Sequence, residues 1–210
     1  MYRRLTWVAV VAALGCASAC SSSGKQPQST TTPPRVVPAS AGVVSGTSPT
    51  ADGRVWVLAG NARVKTLSEI RIRDGAVLNI APADSSATSV TASVNGPLAI
   101  GLATPSTGAV EFRNGATGAV LATVPLAEPV IDVAAGDDGT TFYVLNGAHG
   151  IRGNDNVAVV NSQTHQVQDT IPAPPASVAM QPTPDQASVY VLTKFGQVNE
   201  ISVATGRIES

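Results

Sequence analysis

The sequence predicts an all-β fold built from about four similar four-stranded sheets, and three observations lead to this prediction. A turn-forming head followed by a short apolar run occurs four times beyond residue 40, recurring after about 43, 43 and 47 residues. A second pattern, a strand followed by a turn of Asp, Asn, Ser or Gly, follows each head in register. No long window shows apolar residues at helical spacing, and Pro and Gly interrupt the chain often.

Each repeat supplies the strands of one sheet. The heads with their apolar runs are ADGRVWVLAG from Ala51, VNGPLAIGLA from Val94, DDGTTFYVLNG from Asp137 and PDQASVYVLTK from Pro184. The second patterns begin at Ser68, Gly108, Asp155 and Gly196, and a further short β-rich segment precedes every head. Four strands in 40 to 45 residues is the size of one β-propeller blade. The sequence therefore predicts blades at approximately 41–86, 87–128, 129–175 and 176–210.

The apolar runs predict sheets that are buried on both faces. Val55 to Leu58, Phe142 to Leu145 and Val189 to Leu192 do not alternate with polar residues, as a strand with one wet face would. Blades that stack face to face would bury such strands completely. The aromatic residues of these runs are accordingly expected in the core: Trp56, Phe142, Tyr143 and Tyr190.

Four blades can form a closed four-blade ring or an open arc, which would be half of a larger ring. An open stack exposes one face at each end, and about 500 Å² of apolar surface per face corresponds to roughly 12 kcal/mol as an upper bound. This is comparable to the net stability of a whole domain, about 5–15 kcal/mol. We expect the faces to be covered and favour an arc or a homodimer through open blade faces, because four-blade closure needs more wedge-shaped blades.

The N-terminus predicts export. MYRR supplies positive charge, LTWVAVVAAL is an apolar run of ten residues, and GCASAC is a small-residue cleavage zone. This is the pattern of a secretory signal peptide over residues 1–19, too short to span a bilayer permanently. Its end resembles the lipobox of bacterial lipoproteins, in which the Cys after small residues is lipidated. Cys20 fits that position better than Cys16, which follows the bulky Leu14.

Residues 20–40 predict a disordered tether, because this Ser-, Thr- and Pro-rich segment has little apolar surface to repay ordering. The expected location is therefore the extracytoplasmic side of the cell membrane, with the membrane bound through the N-terminal lipid. Both cysteines precede the repeats, so the folded domain can form no disulfide and no thiolate zinc site. The formal net charge of −1 and the lack of a basic patch argue against a nucleic-acid partner.

The second half of the chain resembles the YVTN-repeat β-propellers. The third repeat contains Tyr143-Val144-Leu145-Asn146 and then Asn156-Val157-Ala158-Val159-Val160-Asn161, and the fourth contains Tyr190-Val191-Leu192-Thr193. The first two repeats match less well. These motifs are structural signatures and name no chemistry. The resemblance implies a propeller of usually seven blades, and related propellers include sugar-lactone hydrolases that use acidic and His residues around the central channel.

Candidate site residues are few. The polar insertion 147–156 in the third repeat contains His149, Arg152 and Asp155, which could form a small ligand-binding loop. His165 takes the turn position that Gly118 and Gly206 hold in other repeats, so it is expected to be a turn residue. No nucleophile elbow, phosphate loop or dinucleotide fingerprint occurs, so no catalytic residue, metal site or cofactor is predicted.

These observations predict a membrane-anchored extracytoplasmic β-propeller lipoprotein that acts as a non-enzymatic binding or interaction scaffold. Its expected partner is a protein or a glycan. Two alternatives are a lactonase-like propeller hydrolase and a truncated or degenerate propeller without activity. The sequence does not identify the ligand.

Overall fold

A computed structural model describes residues 43–49, 53–93, 96–148 and 153–209 of this chain. All the described strands belong to one compact unit, Ala39–Ser210. The predicted signal peptide and tether lie outside the described residues, and so do Cys16 and Cys20. Throughout the described residues the regular structure is β, in sixteen strands.

The sixteen strands form four four-stranded sheets, which we call blades 1 to 4 in chain order. Blade 1 comprises β1 (Val43–Pro49), β2 (Arg54–Gly60), β3 (Lys65–Arg71) and β4 (Val77–Ala83). Blade 2 comprises β5 (Ala87–Ala92), β6 (Leu98–Ala103), β7 (Gly108–Arg113) and β8 (Val120–Leu126). Blade 3 comprises β9 (Val130–Ala135), β10 (Thr141–Asn146), β11 (Asn156–Asn161) and β12 (Gln166–Pro172). Blade 4 comprises β13 (Ser177–Pro182), β14 (Ser188–Thr193), β15 (Val198–Ser202) and β16 (Ile208–Glu209).

Every blade is an antiparallel meander in which each strand pairs with its neighbours in sequence. The first strands of successive blades contact one another, β1 with β5, β5 with β9, and β9 with β13. Among the described strands, no comparable contact joins β13 back to β1. The predicted blade architecture is therefore confirmed, and the four blades form an open arc rather than a closed ring.

Apolar side chains fill the space between successive blades in three clusters. Blades 1 and 2 enclose Trp56, Leu58, Leu67, Ala87, Val90, Leu98 and Ile100. Blades 2 and 3 enclose Ala99, Val110, Phe112, Val124, Val130, Val133, Phe142, Val144, Ala158 and Val160. Blades 3 and 4 enclose Ala134, Tyr143, Leu145, Val157, Val159, Ile171, Met180, Val189, Val191 and Ile201. We call the side of a blade that faces the next blade its forward face, and the opposite side its rear face.

The predicted burial on both faces holds for blade 3 and fails for blades 1 and 4. In blade 1, Trp56 and Leu58 are buried but Val55 and Val57 are only partly buried. Phe142 to Leu145 is buried throughout, because blades 2 and 4 cover the two faces of β10. In β14, burial alternates, and Tyr190 and Leu192 are exposed by 41% and 38%. The prediction for Val189 to Leu192 and for Tyr190 as a core residue was thus wrong, because no described strand covers the forward face of blade 4.

The tight turn between the third and fourth strands explains His165. This turn needs one residue with positive φ, and in blades 1, 2 and 4 that residue is Gly75, Gly118 and Gly206. In blade 3 it is His165, at φ 56°, whose backbone N–H donates to the carbonyl of Asn161 at 2.9 Å. The prediction that His165 is a turn residue is therefore confirmed.

Candidate binding groove

The structure places only one residue of the predicted ligand loop, because His149 and Arg152 lie outside the described residues. Asp155, the third member, is buried. Its Oδ2 accepts a hydrogen bond from the backbone N–H of Ser177 at 2.9 Å, and its carbonyl accepts one from Ala173 at 2.9 Å. A Cβ on Gly147 would lie 2.1 Å from Oδ1. The hydrogen bond of Asp155 therefore links the start of β11 in blade 3 to the start of blade 4. The polar residues around Asp155 in the sequence did not predict this contact between blades.

A second carboxylate, which is half-buried, joins the same two blades at their inner strands. Asp132 on β9 accepts hydrogen bonds from the backbone N–H of Met180, at 3.0 Å, and from that of Val133, at 2.9 Å. Burial raises the pKa of Asp132, and the two hydrogen bonds partly offset this rise. Thr88 makes a similar link one blade earlier, where its hydroxyl donates to the carbonyl of Val130 at 3.2 Å. Polar side chains thus align successive inner strands.

A groove of about 980 Å³ lies where the β3–β4 turn of blade 1 approaches the β7–β8 turn of blade 2. Three arginines line this groove, Arg54, Arg71 and Arg73. Its other walls are mostly apolar or uncharged: Gly53, Ile72, Leu78, Asn79, Ala116 and Thr117, together with Glu69. We call this feature the arginine groove.

Each arginine of the groove is oriented by a carboxylate. Arg54 Nη1 donates to Glu69 Oε1 at 2.7 Å, and the Glu69 side chain is buried. Arg71 Nη1 donates to Asp74 Oδ2 at 3.0 Å, and Arg73 Nε lies 3.6 Å from the same oxygen. A hydrogen bond from the Ala76 backbone lowers the pKa of Asp74, as do the charges of Arg71 and Arg73. Among the described residues, three cations thus face two carboxylates.

At one turn position, blade 1 has Arg71 where blades 2 and 3 have an asparagine that stabilises the turn. The turn position of Arg71 is held by Asn114 in blade 2 and by Asn161 in blade 3, since each accepts the same backbone hydrogen bond across the turn. The Oδ1 atom of each Asn accepts two backbone hydrogen bonds within its turn. In blade 1, Asp74 accepts from the Ala76 N–H at 3.1 Å, as Thr117 in blade 2 accepts from the Ala119 N–H at 3.3 Å. The side chain of Arg71 pairs with Asp74 and lines the groove instead.

The equivalent groove between blades 2 and 3 has a different character. It measures about 520 Å³, and no arginine occurs among its described lining residues, which include Asn114, Asp138 and Gln163. The carboxylate of Asp138 accepts three hydrogen bonds, from the Thr140 N–H, the Thr141 N–H and the Thr141 hydroxyl. These bonds hold its own turn together. Among the described residues, the groove between blades 1 and 2 therefore has a cationic lining and its counterpart between blades 2 and 3 does not.

In the described part of the chain, no group of three or more His, Cys, Asp or Glu residues is placed to hold a metal ion. This part likewise contains no helix that is long and apolar enough to cross a membrane. The lactonase-like alternative depended on His149 and stays a prediction, since that residue lies outside the described ranges.

Comparisons with known proteins support the fold alone. No protein-family model matches the chain, and no curated protein matches it. Among solved structures, Kuenenia stuttgartiensis hydrazine synthase is similar with a TM-score of 0.64 and 14% sequence identity. The match covers 80% of this chain and 48% of that chain, so this chain spans about half the length of its structural neighbour. The likeness agrees with a propeller-like all-β architecture, and membership of the YVTN-repeat family stays a prediction.

Proposed function

We propose that the protein is a membrane-anchored extracytoplasmic lipoprotein of the YVTN-repeat type whose blades form a binding scaffold. We further propose that the arginine groove takes a partner that carries carboxylates. The observation that carries this proposal is the departure from the repeat at Arg71, where an arginine stands in place of a turn-capping Asn and joins Arg54 and Arg73. The partner is an acidic glycan or an acidic segment of a protein.

The chemistry of the groove suits such a partner. A guanidinium has five N–H donors in a planar fork that matches a carboxylate, and the bond to Asp74 uses one donor of Arg71. Arg73 is 77% exposed in its side chain, so it can reach a ligand without breaking the fold. Ile72 and Leu78 add apolar contact area beside these charges. The volume of about 980 Å³ falls at the upper end of the usual range for ligand sites, about 300–1,000 Å³.

Binding to the groove is tested by isothermal titration calorimetry, in which the purified chain is titrated with oligogalacturonate and, separately, with oligoglutamate. The double variant Arg71→Gln/Arg73→Gln should bind at least about tenfold more weakly, because a hydrogen bond to a charged group contributes about 1.5–3 kcal/mol. The ligand with the higher affinity indicates whether the partner is a glycan or a protein. Neutral dextran and oligoglutamine should not bind.

The matched control is Arg63→Gln, which removes an exposed arginine from the β2–β3 loop, outside the groove. This variant should bind as the wild type does. Equal loss of affinity in Arg63→Gln would mean that the net charge, and not the groove, attracts the ligand. Lactone turnover that disappears in His149→Ala, without carboxylate binding by the wild type, would contradict the scaffold and favour the hydrolase alternative.

The membrane anchor gives a separate prediction. In a host that processes lipoproteins, Cys20→Ala should move most of the protein from the membrane fraction to the soluble fraction, because Cys20 follows the small residues Ser18 and Ala19. Cys16→Ala is the control and should remain in the membrane. The measurement is detergent phase partition, with mass spectrometry of the N-terminal peptide for the attached lipid. Soluble wild-type protein, or loss of the anchor only in Cys16→Ala, would show that the assignment of Cys20 is wrong.

A further inference from the structure

The forward face of blade 4 carries the same apolar side chains as the forward face of blade 3, but no described strand covers it. Strand pairing places Tyr190, Leu192 and Val198 at the positions that Tyr143, Leu145 and Val157 hold in blade 3. The blade 3 residues are 2%, 0% and 0% exposed, because blade 4 packs on them. Their counterparts in blade 4 are 41%, 38% and 66% exposed. A face built to contact a blade is thus open at the end of the arc.

The rear face of blade 1 carries the same apolar residues as the rear face of blade 4, which packs on the forward face of blade 3. In blade 4, the apolar residues of the central strands β14 and β15 that pack against blade 3 are Val189, Val191 and Ile201. At the equivalent positions of blade 1, strand pairing places Val55, Val57 and Ile70. The two sets are identical in residue type and order. Ile80 extends the blade 1 face and is 56% exposed. A contact between blade 4 and blade 1 would therefore repeat the contact between blades 3 and 4.

Glu200 is the one charged residue of the central strands on the open face of blade 4, and its position is compatible with burial. Glu69 holds the same place on the forward face of blade 1, opposite Trp56 as Glu200 is opposite Tyr190. Blade 2 covers Glu69, which is 4% exposed. Glu200 also interacts with its neighbour, since its hydrogen bond and charge raise the pKa of Tyr190. A blade can thus pack over a forward face that carries this carboxylate when an arginine pairs with it, as Arg54 pairs with Glu69 at 2.7 Å; blade 4 has Ser188 at the position of Arg54.

We propose that the forward face of blade 4 docks on the rear face of blade 1 of a second copy of this chain, independently of the arginine groove. Within one chain these faces do not meet, because the described strands show no comparable contact between β13 and β1. The contact joins two different surfaces, so two chains can make it twice, reciprocally. The product is a ring of eight blades in which both open faces of each chain are covered.

The proposal predicts a dimer. One charged substitution on either face should break it, and mixing the two single variants, whose charges are opposite, should restore it. Native mass spectrometry of the purified full chain, in a dilution series, should show about twice the chain mass of 21.2 kDa. Leu192→Lys on blade 4 and Val57→Glu on blade 1 should each give monomers, because a charge is buried opposite an apolar face. An equimolar mixture should regain a heterodimer, in which one contact pairs Lys with Glu and the other is unchanged.

The control is Val167→Lys, which places the same charge on the exposed outer strand of blade 3 and should remain dimeric. Urea unfolding of each variant shows whether it is folded before its mass is interpreted. A wild type that stays at one chain mass over the whole series would overturn the proposal. So would dimers that persist in Leu192→Lys. If the mixture of folded single variants stays monomeric, the pairing of blade 4 with blade 1 is wrong.

Discussion

Replacing Leu145 with alanine should lower the free energy of unfolding by about 3 to 5 kcal/mol. Leu145 is fully buried in the cluster between blades 3 and 4, where it packs among residues that include Val191 and Ile201. The substitution removes apolar burial and leaves a cavity that two rigid sheets cannot close. The measurement is urea unfolding of the purified chain at 25 °C, followed by circular dichroism, with the slope of the transition compared between variants.

Leu192→Ala is the matched control for this prediction. Leu192 holds the position of Leu145 one blade later, but it is 38% exposed on the open face. At a concentration where the chain is monomeric, its loss should cost less than about 1 kcal/mol, since little apolar surface is withdrawn from water there. Equal costs at both positions would mean that another part of the same chain covers the forward face of blade 4.

Glu111→Ala should also destabilise the protein strongly, by about 3 kcal/mol or more. Glu111 Oε1 lies 2.6 Å from Arg113 Nε, and both side chains are largely buried. Arg113 also donates from Nη1 to the carbonyl of Pro82 in blade 1, at 2.8 Å, so it is fixed between two blades. Without Glu111, the buried guanidinium loses its hydrogen-bonded carboxylate, and only the exposed Asp84 still acts on its charge. Thermal and urea unfolding at neutral pH measure the loss.

The control for Glu111→Ala is Arg73→Ala. Arg73 lies 3.6 Å from Asp74 and is 77% exposed, so the pair is screened by solvent and contributes at most about 1 kcal/mol. Glu111→Gln keeps an acceptor for Arg113 and should lie between the two. A cost for Glu111→Ala no larger than that for Arg73→Ala would show that the pair is exposed to water, and that blades 1 and 2 are not closely packed there.

The sequence predicted the blade architecture because turns and apolar runs are local signals. Gly53 and Gly139, for example, mark equivalent turns, and both have positive φ. The strand that was expected from Ser68 begins at Lys65, since its first residues are polar and carry no apolar pattern. The burial of Phe142 to Leu145 followed from the lack of alternation. The same pattern at Val189 to Leu192 was misleading, because a sequence does not show whether a neighbouring blade is present.

The candidate site was harder to predict, because its residues act through contacts between blades. Asp155 stands in a polar run that predicts a ligand loop, and its carboxylate also accepts a hydrogen bond from the Ser177 backbone, 22 residues further along the chain. Arg71 was overlooked, because a single arginine in a turn is common on protein surfaces. Only an alignment of its turn with those of Asn114 and Asn161 shows that Arg71 departs from the repeat. A register-by-register comparison of the turns in the sequence could have found it.

The most direct test of the central claim, that each inner sheet is covered on both faces, is a nuclear Overhauser spectrum of the chain with labelled aromatic and methyl groups. The structure predicts cross-peaks between the rings of Phe112 and Phe142, whose centroids are 5.1 Å apart across blades 2 and 3. It also predicts cross-peaks from Leu145, on the other face of blade 3, to the methyl groups of blade 4. Cross-peaks to other sheets from only one face of blade 3 would indicate a two-layer sandwich and contradict the blade arrangement.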